Sequence, residues 1–289
     1  MTRHNRLSMP AAALVLCAGL LFASGGALIK LCGFPSLERA GLRAAFAAIT
    51  IFALLPEARR WPDLRVLRLV PAYFGATCFF VVANTMTTAA NSIFLQSTAP
   101  LWLVLFGPLL LGERTARRDL IVLAGVAAGM ALCFVAPTEA SATAPNPALG
   151  DAFGLASGVS YALLLLGIRW LARTDGAAGI VAIAWGNTLS APICFLLMPI
   201  AGQTPEFGSA TDWLVIAVLG VFQVGVAYAV LVRGIAHVPA VRASLLLMVE
   251  PALNPLIAFA VHGEAPHVLT FAGGALILGA VTVGALLRR

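Results

Sequence analysis

The chain has 289 residues, of which 61% are hydrophobic and 10% charged, with a mean hydropathy of +0.97. Soluble domains carry about 25% charged residues, so these few charges could not cover a water-facing surface. A cytosolic enzyme, a nucleic-acid binder and a disordered protein are excluded, and the net charge of +6 is read as a membrane-orientation signal.

A spanning helix needs about 20 mostly apolar residues. Ten such runs follow one another, at 9–31, 37–56, 67–89, 91–111, 120–137, 150–171, 177–200, 212–232, 239–261 and 267–287. The basic front Met1-Thr-Arg-His-Asn-Arg6 resembles that of a signal peptide. The apolar run behind it exceeds a signal core of about 7–15 residues, and no A-x-A site follows. The first run is therefore expected to be a spanning helix. The tightest connection falls near Ala89 to Asn91, and short connections make neighbouring helices antiparallel.

The charges orient the chain. With a cytoplasmic N-terminus, 15 of the 18 basic residues fall inside. Lys30, Arg39 and Arg43 remain outside, around the first outer loop. The outer segments also carry Glu38, Glu139, Asp151, Glu206, Asp212 and Glu264. This positive-inside bias places both termini in the cytoplasm of a multi-pass protein, expected in the plasma (inner) membrane. Cys17, Cys78, Cys133 and Cys194 lie in apolar runs and Cys32 just beyond one. Their odd number and lack of C-x-x-C spacing point to apolar filler rather than a disulfide framework or a metal site.

Runs four and nine share a pattern. Pro100 and Pro251 are each followed, after eleven residues, by Gly-Glu (Gly112-Glu113, Gly263-Glu264), every position offset by 151. A glycine-bearing apolar helix follows each, with Gly125 and Gly129 in one and Gly273, Gly274 and Gly279 in the other. Ala23-Ser-Gly25 and Ala156-Ser-Gly158 match between runs one and six. The chain thus reads as an all-α membrane protein of two five-helix repeats, 1–137 and 150–289, joined by an outer linker at 138–149. Because five is odd, the second repeat enters from the opposite side. Inverted repeats typify secondary transporters, whose substrate site lies near the midplane between the halves.

This five-plus-five arrangement, each half ending in Pro…Gly-Glu and a glycine helix, resembles the EamA branch of the drug/metabolite transporter superfamily. The stretch Arg242-Ala-Ser-Leu-Leu-Leu-Met-Val-Glu-Pro251 is typical of it. In size and general sequence the chain is most similar to the YddG-type amino-acid exporters. The resemblance implies a secondary carrier without an ATPase, and no GxxxxGK[ST] phosphate loop is present. After Gly112-Glu113 the first-half glycine arrives about three residues late, a departure in local register.

Polar groups at membrane depth are costly and point to a cavity. Tyr73, Thr77, Phe80, Asn84 and Thr88 share one face of the third run, and Asn91, Leu95, Thr98 and Trp102 one stripe of the fourth. Ser157, Ser160 and Tyr161 lie near the centre of the sixth, Trp185, Asn187 and Thr188 in the seventh, and Gln223 and Tyr228 in the eighth. Together they are expected to line an amphipathic substrate pocket. The bland alternative for each Ser and Thr is a bond to its own helix or a neighbour. Trp61, Trp170 and Trp213 fit an interfacial belt. Glu250 is an acid at the midplane beside Pro251, and its first-half counterpart is Ala99. A proton or cation site is weighed against a structural Glu-Pro corner, and the structural role is favoured. Pro100 and Pro251 are candidate hinges. Gly125-xxx-Gly129 and Gly154-xxx-Gly158 are expected to serve packing within the chain.

The function expected is export of small amphipathic metabolites, foremost aromatic or other neutral amino acids, by alternating access. Export of drug-like cations or other metabolites is the alternative, as is a receptor or scaffold, which would want larger loops. A membrane enzyme would want His, Asp or Glu clustered at depth, whereas the four histidines lie outside or at helix ends. No catalytic residue, metal or cofactor is expected. The expected partners are a small-molecule substrate and the bilayer, not nucleic acid, and the functional unit is a monomer.

Overall fold

The structure is a computed structural model and describes residues 11–112, 117–137, 139–235, 246–247 and 249–286. The helices in chain order are α1 (Ala11–Leu31), α2 (Ser36–Leu54), α3 (Leu64–Met86), α4 (Ala89–Leu111), α5 (Arg117–Val135), α6 (Pro147–Ala172), α7 (Ala178–Leu197), α8 (Ala210–Gly234), α9 (Val249–His262) and α10 (Val268–Leu286). Six of them, α1, α3, α4, α6, α7 and α8, are long and apolar enough to cross a membrane. Shorter apolar stretches run over Val122–Val135 in α5 and Val268–Val283 in α10. Among the described residues there is no strand, only a bridge between Ser141 and Ala144. The chain is a multi-pass helical membrane protein, and its large exposed side chains (Leu109, Leu196, Leu214, Phe259) are apolar, as a lipid-facing surface requires.

Helix ends fall within three residues of the apolar runs wherever the chain is described. The ninth run begins in residues 236–245, outside the described set. The tight turn lies two residues earlier than expected, at Thr87–Thr88. Thr88 caps α4, its hydroxyl accepting from the Asn91 amide at 3.1 Å, because the first amides of a helix lack internal partners.

Gly112 and Gly263 end α4 and α9 in the left-handed conformation, with φ +67° and +69°. Each amide bonds back one turn, to Pro108 at 3.2 Å and to Phe259 at 2.9 Å. A side chain is strained in that geometry, which explains the glycine before each glutamate.

Contacts across the connections sort the molecule into two ends. Lys30 meets Glu264, Gln203 meets Ser36 and Thr87 meets Asp151 at one end, called here the Lys30 end. Arg60 meets Asp175, Arg233 meets Leu54 and Arg173 meets Leu111 at the other, the Arg60 end. Between them, α3 packs along α6 and α8 along α1; α4 packs on α6 and α9 on α1; α2 lies against α7 and α5 against α10. Gly125 faces Ala280, and Gly154 faces Leu95, so these glycines pack within the chain.

Three interruptions concentrate near mid-depth. α1 breaks at Ser24, ahead of Gly25 and Gly26. α4 breaks at Ser97–Thr98, just before Pro100, which lacks an amide to continue the ladder. α8 widens to a π-helix over Leu219–Val226, with Gln223 in its middle; such bulges favour functional positions.

Asp151 ties the start of α6 to the α3–α4 turn. It is buried, and accepts from the Thr87 hydroxyl at 2.7 Å and the Asn91 side-chain Nδ2 at 3.0 and 3.1 Å. Asp151→Ala strands both donors and is expected to cost about 3 kcal/mol. Asp151→Asn, which keeps one acceptor, should cost less; melting in detergent measures both.

Candidate substrate site

The sequence places three cations near the start of the chain's apolar region, and the structure buries all of them. Lys30, Arg39 and Arg43 are not surface charges of a loop, as the charge count alone suggested. Lys30 closes an ion pair with Glu264 at 2.8 Å, with side-chain exposures of 3% and 6%. Its ammonium also donates to the Thr87 carbonyl at 2.7 Å and to that of Thr143. Glu264 accepts from the Ala89 amide at 3.0 Å. Arg39 is satisfied by the Phe34 carbonyl at 2.6 and 3.1 Å and by that of Ile29. Arg43 lies two turns inside α2, about 10 Å from its start at 1.5 Å per residue, and is 5% exposed. Among the described residues its guanidinium bonds only the Gln223 side-chain oxygen at 3.4 Å and the Thr77 carbonyl at 3.3 Å.

Around Arg43 several expected pocket residues converge. Tyr73 is fully buried, its hydroxyl beside the Asn187 side chain but without a well-formed hydrogen bond. Gln223 also donates to the Phe22 carbonyl at 3.4 Å. Phe22 packs edge-on against Tyr228, ring centroids 5.2 Å apart. Tyr228 lies within electrostatic reach of both Arg43 and Glu250, and Tyr161 within reach of Tyr228 and Glu250. All three tyrosines of the chain therefore border one centre. Glu250 makes no hydrogen bond or ion pair with a described residue, and it keeps part of its surface open. The amide contacts expected of a structural Glu-Pro corner are not among those described. One turn on, Asn254 is buried with neither amide atom bonded to a described residue, against Gly26.

Other expected residues take the bland role. Thr77 bonds the Tyr73 carbonyl at 2.9 Å, Asn84 that of Phe80 at 3.0 Å, Asn187 that of Ile183 at 3.0 Å and Thr98 that of Leu95 at 2.6 Å. Each of these bonds lies within the residue's own helix, although the buried Asn84 Oδ1 has no partner among the described residues. Phe80 belongs to the main apolar core. Ser157 joins a separate tie, donating to the Ala76 carbonyl at 2.8 Å and accepting from Gln96 at 2.7 Å. Trp102 donates to the Thr98 hydroxyl at 3.2 Å and stacks on Phe106 at 6.1 Å. Trp185 is not brought to the centre. Its indole donates to the Arg60 carbonyl at 2.9 Å and its ring lies 5.3 Å from Trp61, at the Arg60 end. Pro100 and Pro251 stand in the first turns of their helical segments. Glu113 lies outside the described residues.

The two ends differ. At the Lys30 end, Glu264 of the buried ion pair also lines a cavity of about 500 Å³, with Thr88, Glu139, Thr143, His262 and His267 among its other walls. At the Arg60 end the tie is the exposed Arg60–Asp175 pair at 2.7 Å. Bonding to Arg60 holds the Asp175 carboxyl below its usual range, but water screens such a pair.

Arg43 is the functional candidate missed by reading stripes of uncharged groups. The signal was present: a guanidinium two turns into an apolar helix, one turn past Arg39.

The chain resembles known transporters along its length. It is 26% identical over 274 residues to an uncharacterized transporter of Archaeoglobus fulgidus, covering 94% of each chain. It is 26% identical to a pseudopaline exporter of Pseudomonas aeruginosa, covering 92% of each. A solved protein structure at 22% identity superposes with a TM-score of 0.65, over 96% of this chain and 98% of that one, a likeness of fold. The EamA-like transporter family matches twice, over residues 9–135 and over 148–285. With nearly the whole chain covered by that family, all-helical and multi-pass, the protein belongs to the EamA-like transporters.

Proposed function

We propose that the protein exports small amphipathic metabolites, foremost neutral amino acids, by alternating access as a monomer in the inner membrane. In this reading ten spans form two inverted five-helix repeats, 1–137 and 150–289, around a midplane site. Both termini are cytoplasmic, and the Lys30 end faces outside. Two separate family matches support the repeat, as do the paired glycine caps offset by 151 and the way packing partners exchange between the halves.

The observation that carries the reading is the asymmetry of closure. One end is sealed by a buried ion pair that crosses between the halves, Lys30 from the first and Glu264 from the second. The other is tied by exposed groups. A carrier that alternates needs a seal that can be made at one end while the other opens.

Counterflow tests the function. Liposomes preloaded with unlabelled phenylalanine should take up labelled phenylalanine transiently above equilibrium. The similarity to a pseudopaline exporter favours a second solute class, so pseudopaline is the matched comparison. Counterflow of pseudopaline alone would replace the amino-acid reading, and counterflow of neither would end both. Orientation is tested separately. Cysteine at Thr115, just past Gly112-Glu113, should react with an impermeant maleimide only from the cytoplasmic side. Labelling from outside in intact cells inverts the topology.

A further inference from the structure

Of the three buried cations near the Lys30 end, two have close partners. Lys30 has a carboxylate and two carbonyls, and Arg39 has close carbonyl partners on two residues. Arg43 is as deeply buried as Arg39 and on the same helix, yet its partners are a neutral amide oxygen and one carbonyl, at 3.4 and 3.3 Å. No carboxylate among the described residues pairs with it. A guanidinium has five donors, and a buried charge without a counterion is costly unless something supplies one. Its position is fixed: a Cβ added at Gly220 would meet the Arg43 carbonyl at 2.7 Å, so the π-helical segment bearing Gln223 is pressed onto this turn of α2.

Resting on the carrier reading above, we infer that Arg43 is the anchor for a carboxylate of the transported solute. The substrate class is thereby narrowed to carboxylate-bearing amphipathic metabolites. A carboxylate accepts two parallel N–H bonds from a guanidinium and neutralises it at once. The buried Tyr73 hydroxyl, beside Asn187 and within electrostatic reach of Arg43, is a further donor at the same centre, and the Phe22–Tyr228 pair is an apolar wall for the rest of the solute. Glu250, within electrostatic reach of Tyr228, gives the centre an acceptor for an amino group, so that a zwitterion would find a partner for each charge. Drug-like cations without a carboxylate fit the arrangement poorly, because they bring a second positive charge to Arg43.

Binding of three probes to the purified full-length protein in nanodiscs tests this. Phenylalanine carries both charged ends, phenylalaninamide lacks the carboxylate and N-acetylphenylalanine lacks the amine. The parent is expected to bind phenylalanine at least about tenfold more tightly than phenylalaninamide, the scale of a charge-assisted bidentate bond. In Arg43→Gln that preference should vanish while N-acetylphenylalanine also weakens. A merely structural arginine would leave the preference intact in whatever protein folds. Should Arg43→Gln fail to fold, Arg43→Lys keeps the charge without the fork, and the parent's own comparison of acid with amide still decides. Equal binding of acid and amide by the parent overturns the assignment, as does a preference that survives in Arg43→Gln. A parent that binds none of the probes yet counterflows a carboxylate-free solute overturns the assignment and leaves the carrier standing. Absence of any counterflow strikes at the carrier reading instead, while the binding comparison still judges Arg43.

Discussion

Lys30→Met is expected to open the Lys30 end. The substitution keeps the apolar stem and removes the ammonium, leaving Glu264 buried at 6% side-chain exposure with the Ala89 amide as its remaining partner. Stranding one member of a buried pair costs about 3–5 kcal/mol. That penalty applies only while the end is closed, because opening returns Glu264 to water. The balance between closed and open should therefore shift by about 100-fold or more. Cys32 is a built-in reporter: it is 2% exposed and two residues from Lys30, and burial pushes its thiol pKa up, which suppresses reaction with maleimides. An impermeant maleimide should label Cys32 slowly in the parent and much faster in Lys30→Met, read by peptide mass spectrometry. Lys30→Met/Glu264→Leu removes both charges and should be less labile than Lys30→Met alone. A folded Lys30→Met protein in which Cys32 stays protected would show that the pair is not a seal.

Gly129→Val should be among the most destabilising single substitutions in the chain. α5 and α10 meet backbone to backbone here. A Cβ at Gly129 would lie 2.5 Å from the Gly273 carbonyl oxygen, 2.7 Å from an Ile277 side-chain carbon and 3.1 Å from the Ile277 amide. The first and last of these are backbone atoms, so relief requires the helices to separate. Separation forfeits the dispersion contacts that hold helices together in lipid, where water no longer drives association. The cost is expected to reach or exceed the usual ~1–3 kcal/mol of overpacking. Gly279 is the control: nothing lies within 4 Å of a Cβ built there, so Gly279→Ala should leave stability unchanged. The fraction of monodisperse protein after heating in detergent separates the two. Equal heat resistance of Gly129→Val and parent would refute the close approach.

Much of the architecture is readable from composition, because lipid imposes a simple rule. A segment that cannot hydrogen-bond its backbone to water must be helical and apolar for about 20 residues, and this chain marks its helix ends with Pro, Gly and polar clusters. The helix boundaries and the transporter family follow from that rule and from the Pro…Gly-Glu pattern. The two glycine caps follow as well, since only a residue without Cβ accepts their φ at no strain.

What side chains do at depth was not readable in the same way. Helical spacing puts Tyr73, Thr77, Phe80 and Asn84 on one face, but not which of them finds a bond within its own helix. Thr77 and Asn84 do, while the Tyr73 hydroxyl has no such bond among the described residues. Trp185 reads as a pocket residue until the turn at Arg60 folds back to offer it a carbonyl. The π-helical widening around Gln223 has no periodic signature, because it depends on how Gly220 and Gly225 seat against Phe46 and Thr50 of α2. Charge counting placed Lys30, Arg39 and Arg43 in one outer group, since it weighs only number and side. The tertiary structure separates them into an ion pair with Glu264, a cap on the α1–α2 turn and an under-partnered guanidinium. The physical reason is common to all these cases: sequence fixes which groups must be satisfied in a medium without water, and only the neighbouring helices, far away along the chain, determine what satisfies them.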